Sequence, residues 1–222
     1  MTLSMAKEID TPEIVFISGI TEREVYRLRE ERLLPRRRRR VHTHAYRLDI
    51  WDSVLANFYF GLKDLLSKEA RLAAMNEFVQ QIEDDFTSVS VEDVTSRHLT
   101  FVVHVGQFKD ITIDFGQRVA EVASRAVELE RVNALVSSDD EFDREPVFKD
   151  TRVPVSTVAA FLAKGVSKED VLARFPTLTP EMVAAAPVWL RTHPQKGRPR
   201  KFGEINPEWS LKTSESVKFV RP

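Results

Sequence analysis

Apolar positions recur at helical spacing along most of the chain. The first set is Ile14, Val15 and Phe16, behind Thr11-Pro12-Glu13. That triplet reads as a helix start: a hydroxyl cap, a proline in the first turn, and a carboxylate facing the positive end of the helix dipole. Ser18-Gly19 ends the helix. Thr21 and Glu24 then form a capping box for a second helix through about Arg32. Its spacing buries Val25 and Leu28 and turns Arg23, Arg27 and Glu30 outward. Leu33-Leu34-Pro35 breaks it. Asp49 caps a third helix that buries Ile50 or Trp51, Val54, Leu55, Phe58 and Leu62. Ser67 opens a fourth to about Asp84, with Leu72, Met75, Val79 and Ile82 on one face. The acids Glu83, Asp84 and Asp85 sit at the wrong pole of its dipole, which predicts a frayed end.

After residue 97 the period changes to two. Leu99, Phe101, Val103 and Val105 alternate with Thr100, Val102 and His104, and Ile111, Ile113 and Phe115 alternate with Thr112 and Asp114. Gly106-Gln107 between them is a two-residue hairpin signal. A helix follows, with Val119, Val122, Ala126 and Leu129 on one stripe. A lone hairpin is marginal, so it needs this helix, neighbouring helices or a second copy of the chain. Residues 137–145 are a polar, acidic linker without the glycine and terminal glutamate of a calcium loop.

Glu145 to Pro187 is a third pattern. Pro146 and Pro154 keep the chain extended. Ser156 or Thr157 then caps a helix through about Lys164 carrying Val158, Phe161 and Leu162, closed by Gly165. Ser167 caps a second short helix with Val171, Leu172 and Phe175, stopped by Pro176. Thr179 caps a third, with Pro180 at its first position. The predicted fold class is α+β and mostly helical. It comprises an N-terminal winged helix-turn-helix over 8–66, a helix-plus-hairpin module over 67–136, a trihelical bundle over 144–192 and a basic tail over 193–222.

Composition adds limits. The 222 residues are 42% hydrophobic, enough for real cores, and include no cysteine, which removes disulfides and thiol chemistry. No signal core or uncharged run near the roughly 18 residues of a membrane span is present, so a soluble cytoplasmic protein is expected. The formal net charge of −1 hides segregation. Residues 1–50 hold 11 basic against 8 acidic groups, residues 188–222 hold 8 against 3, and the middle carries the acidic excess. Basic ends around an acidic body suit a polyanion binder with a protein-binding centre.

The densest charge is Arg36 to Arg40, followed by a partly alternating stretch containing His42, His44 and Arg47. Such a run contributes counterion release rather than base reading; the plainer reading is a solvated loop. His42 and His44 lie on one face of a strand, but no third metal ligand accompanies them. No phosphate loop, nucleophile elbow or zinc-protease motif is present. Asp110 and Asp114 share a strand face without an identifiable base. Neither catalysis nor a cofactor is expected. The tail contains Gly197-Arg198-Pro199-Arg200 flanked by cations. It has three readings: an insert into an acidic partner site, a minor-groove hook, or an unstructured tail.

Two resemblances bear on these patterns. ITEREVYRLREERLLPR followed by YRLD resembles the DNA-binding head of MerR-type regulators over about 45 residues. It implies that Arg23, Tyr26 and Arg27 face the major groove. Arg36, Arg37, Arg38, Arg39, Arg40, His44 and Arg47 would meet phosphates or the adjacent minor groove. EPVFKDTRVPV, a helix, and then KGVSKEDVLARFPTLTPEMVAAA resemble the domain of unknown function 433 family over about 45 residues. Arg144-Glu145 stands where that family has paired glycines, Asp150 where it has a glycine, and Pro187 where it has a leucine. Its members are similar to VapB-like antitoxins that pair with a PIN-type ribonuclease. The resemblance implies such a toxin as partner, double-stranded operator DNA as a second, and Arg198 or Arg200 entering the carboxylate cluster of the nuclease. A homodimer or higher even oligomer would suit a palindromic operator. The expected function is therefore an antitoxin that autorepresses; the alternative is a MerR-like regulator without a toxin.

Overall fold

A computed structural model describes residues 3–35, 48–82, 99–105, 109–137 and 145–194. Within them lie eight helices and three two-stranded antiparallel sheets, so the protein is α+β and mostly helical. The helices are α1 Thr11–Ser18, α2 Glu22–Glu30, α3 Ile50–Gly61, α4 Lys68–Ile82, α5 Gly116–Ala134, α6 Val155–Ala163, α7 Lys168–Arg174 and α8 Pro180–Thr192. The strands are β1 Glu8–Ile9, β2 Leu48–Asp49, β3 Thr100–Val105, β4 Lys109–Asp114, β5 Val136–Ser137 and β6 Val147–Phe148.

Buried side chains collect in two cores. The first runs from Leu3 to Leu129 and has α3 at its centre, where every residue from Ile50 to Phe60 is buried. A helix apolar on one stripe sits at a surface; one buried all round must be wrapped by others. α1, α2, α4 and α5 all pack against α3. Phe115, at the joint between β4 and α5, stacks on Phe58 from α3 at 4.3 Å and on Phe78 from α4 at 4.4 Å. Trp51 meets Phe78 edge-on at 5.9 Å. The second core gathers Val132, Val136, Phe148 and the inner faces of α6, α7 and α8. The long α5 thus belongs to both cores, and α8 packs back on α1 and α5.

The capping chemistry largely follows the sequence. Glu24 accepts from the Thr21 amide at 2.9 Å, while Thr21 Oγ1 accepts from the Glu24 amide at 3.3 Å. Asp49 accepts from the Asp52 amide at 2.9 Å, Ser167 from Asp170 at 3.1 Å and Thr179 from Met182 at 3.3 Å. Two caps shift, one by a single residue and the other by two or three. Asp10, not Thr11, is the cap of α1, with Glu13 accepting from its amide at 2.8 Å. Pro154 holds the cap position of α6. Ser156 instead donates to Glu145 Oε1 at 2.5 Å, because the extended lead ladder carries the chain into the helix before any hydroxyl is reached. That ladder pairs Val136 with Phe148 and Ser137 with Val147.

The hairpin pairs Thr100 with Asp114 through Val105 with Lys109. Three residues therefore separate the paired ends, one more than the Gly106-Gln107 signal requires; the turn itself lies outside the described residues. β3 lies against α4, and Val103, Ile113 and Phe115 are buried in the first core. Burial on neighbouring helices is thus one source of hairpin stability. α8 continues through Pro187, whose ring leaves the Val183 carbonyl without its i+4 amide. The expected fraying at Glu83 to Asp85 lies outside the described residues.

Candidate nucleic-acid interface

α1 and α2 are joined by a short turn at Gly19 and pack against each other. Gly19 sits at φ 72° with its amide on the Val15 carbonyl at 3.0 Å, a conformation that a Cβ disfavours. Buried Val25 and Leu28 fix the inner face of α2, which leaves Arg23, Tyr26 and Arg27 on the outer one. Arg23 is exposed and makes no ion pair with any described residue. Tyr26 is 50% exposed and its hydroxyl donates to Glu22 Oε1 at 3.2 Å. An aromatic left this open one turn from cations suits stacking or a sugar–phosphate contact.

Arg27 is held differently. Its Nε donates to Glu31 Oε1 at 3.0 Å, and its guanidinium lies 5.6 Å from the centre of the Phe60 ring. Lys68 Nζ reaches the other Glu31 oxygen at 3.3 Å. The hydrogen bonds from Arg27 and then Lys68 hold the Glu31 carboxyl below the usual carboxylate range. Lys63 also lies 3.9 Å from Glu24. The connection between α3 and α4 is thereby tied to the outer edge of α2. Arg27, Glu31, Lys63 and Lys68 are exposed and Glu24 is only partly covered, so each pair is weak and salt-sensitive.

α2 ends in a Schellman turn. The Leu33 amide bonds the Leu28 carbonyl at 3.1 Å and the Arg32 amide that of Arg29 at 3.3 Å, with Arg32 at φ 50°. The chain returns at Leu48, where β2 pairs with β1. Arg36, Arg37, Arg38, Arg39, Arg40, His44 and Arg47 fall between these anchors and lie outside the described residues, as does the expected wing. Arg198 and Arg200 also lie outside them.

α6, α7 and α8 pack on one another as a trihelical unit. Gly165 closes α6 at φ 81°, and Val158, Val171 and Val183 are fully buried. Phe161 and Phe175 remain partly open, 5.9 Å apart, with Arg174 over the Phe161 ring at 5.3 Å. Asp150 takes φ 58° in a turn closed by the Thr151 amide on the Phe148 carbonyl at 3.1 Å. The backbone therefore keeps the left-handed geometry for which the related pattern uses glycine. Aspartate, with its short polar side chain, is among the few residues that tolerate it.

An open depression of about 380 Å³ lies where α8 meets the start of α1, lined by Asp10, Thr11, Pro12, Thr192, His193 and Pro194. His193 stacks on Trp189 at 3.6 Å. Nothing in local spacing signals this juxtaposition, because its two sides are some 180 residues apart in the chain. Among the described residues no group of three potential metal ligands comes together, and no helix is long and apolar enough to cross a membrane.

Comparison with known proteins gives two findings. Residues 137–188 match the family described as "Protein of unknown function (DUF433)". The chain is also similar to "Uncharacterized protein y4eO" of Sinorhizobium fredii (strain NBRC 101917 / NGR234), with 29% identity over 217 residues. That alignment covers 96% of this chain and 93% of the relative. No solved structure matches.

Proposed function

We propose that the protein is a cytoplasmic, non-catalytic antitoxin. Its N-terminal head binds operator DNA, and its C-terminal trihelical unit and basic tail mask a PIN-type ribonuclease. The observation that carries the DNA half is the outer face of α2. Arg23 and Tyr26 are open there, and α2 leads within six residues of its end into five consecutive arginines. Phosphate neutralisation by such a run supplies affinity without sequence, while α2 offers side chains to a groove. The toxin half is supported by the match of residues 137–188 to DUF433, together with the likeness of that pattern to VapB-like antitoxins. The partly open Phe161–Phe175 pair is an apolar contact of the kind partner proteins cover. A MerR-like regulator without a toxin shares the first half of this reading, and the helix–glycine turn–helix arrangement favours it equally.

The test uses the full chain. Binding to the duplex upstream of its gene is titrated by fluorescence anisotropy between 50 and 200 mM salt. Replacing Arg36 to Arg40 with alanine lowers affinity and flattens the salt slope by several units, since each phosphate contact contributes about 0.9. An unchanged slope refutes the head assignment. Co-expression with a neighbouring PIN-type reading frame yields a stable complex that lacks ribonuclease activity. No such frame and no complex leaves the regulator reading.

A further inference from the structure

The turn between α1 and α2 is held from outside these two helices. Asn57 in α3 donates from Nδ2 to the Ser18 carbonyl at 2.8 Å. Arg125 in α5 donates from NH1 to the Ile17 carbonyl at 3.3 Å. These two carbonyls end α1, where partial negative charge accumulates and a cation is favoured. Arg118, two turns before Arg125 on the same helix, lies 3.5 Å from Asn57 Oδ1, which matches an amide whose nitrogen faces Ser18. Gly19 completes the fit: a Cβ there would lie 2.5 Å from Arg125 NH1. The guanidinium therefore occupies the space left by a missing side chain, against the backbone that launches α2.

We propose that Arg125 is a positioning residue for the nucleic-acid face. It sets the α1–α2 turn, and through it the angle at which α2 presents Arg23 and Tyr26, without touching nucleic acid itself. The inference rests on the head being a DNA-binding surface for its consequence, but not for its geometry. α5 also packs on α8 and contributes Val132 to the second core. The residue that steers α2 is thus carried by a helix shared with the trihelical unit.

The experiment compares wild type, Arg125→Gln and Arg125→Lys as full chains by amide hydrogen exchange without DNA, and by affinity for the upstream duplex across salt. In Arg125→Gln, exchange at Gly19 and Val25 rises about tenfold, the factor that a charge-assisted bond of about 1.4 kcal/mol represents. Affinity falls by a similar factor while the salt slope stays unchanged, because no phosphate contact is lost. Arg125→Lys keeps the cation at the end of α1 and recovers most of both; if the glutamine form does not fold, Arg125→Met, which also lacks the cation, takes its place with the same rise in exchange expected. Unchanged exchange in the turn overturns the proposal. So does a salt slope reduced by about one, which would make Arg125 a phosphate ligand. A wild-type chain that binds no duplex, with the exchange effect intact, refutes the DNA-binding reading and confines Arg125 to shaping the turn.

Discussion

Two helices end in the same Schellman geometry with opposite choices of residue. α6 closes with Gly165 at φ 81°, its amide on the Leu162 carbonyl at 3.0 Å and the Val166 amide on Phe161 at 3.1 Å. α2 closes in the same way, but Arg32 occupies the left-handed position at φ 50°. A residue with a Cβ loses roughly 1–2 kcal/mol there. Replacing it with glycine returns that amount and gives back about 0.4–1 kcal/mol through the freer unfolded chain. Arg32→Gly is therefore expected to stabilise the protein by about 0.5–1 kcal/mol. Gly165→Ala should destabilise it by a similar amount, with no steric addition because nothing lies within 4 Å of the new Cβ. In urea, with a slope of about 2 kcal/mol/M, the midpoints move by roughly 0.3–0.5 M in opposite directions. Circular dichroism and tryptophan fluorescence follow the transition, and the slopes stay unchanged. A lower midpoint for Arg32→Gly, or a neutral Gly165→Ala, refutes the argument that φ governs both sites.

Phe115→Ala removes the ring stacked between Phe58 and Phe78. The cavity should cost about 3–5 kcal/mol, read as a loss of thermal midpoint that exceeds that of any surface change. Pro187→Ala restores an amide donor to the Val183 carbonyl inside α8. A gain of about 2–2.5 kcal/mol is expected, since an interior proline costs about 3 and offsets about 0.4–1 of that by stiffening the unfolded chain. A loss of midpoint would show that Pro187 makes a contact the helix needs. Glu31 has its folded pKa depressed by Arg27 and Lys68. Its contribution is thus present above the unfolded value of about 4.3 and lost as pH falls through the lower folded value. Glu31→Gln should leave the midpoint shallower against pH in that acid window and little changed at pH 2; an identical pH profile would show that the pair does not form in solution.

Much of the architecture was legible because it rests on local rules. The capping box at Thr21 and Glu24, the caps at Asp49, Ser167 and Thr179, and the left-handed Gly19 and Gly165 depend on residues within a few positions of each other. The stripe Val119, Val122, Ala126 and Leu129 told which face of α5 is buried. It did not tell what that face meets.

Spacing along the chain by itself determined where most helices begin, which side chains turn inward, and that α2 carries Arg23, Arg27 and Glu30 on its outer side. Only the tertiary structure decided that α3 is wrapped on all sides, that Phe115 joins the hairpin to α3 and α4, and that Arg125 reaches the end of α1 across more than 100 residues of sequence. The physical reason is range. Dihedral preference and helix capping act over one turn and leave a mark at fixed offsets. A packed ring or a guanidinium on a distant carbonyl is specified by shape in three dimensions, for which neighbouring residues carry no period.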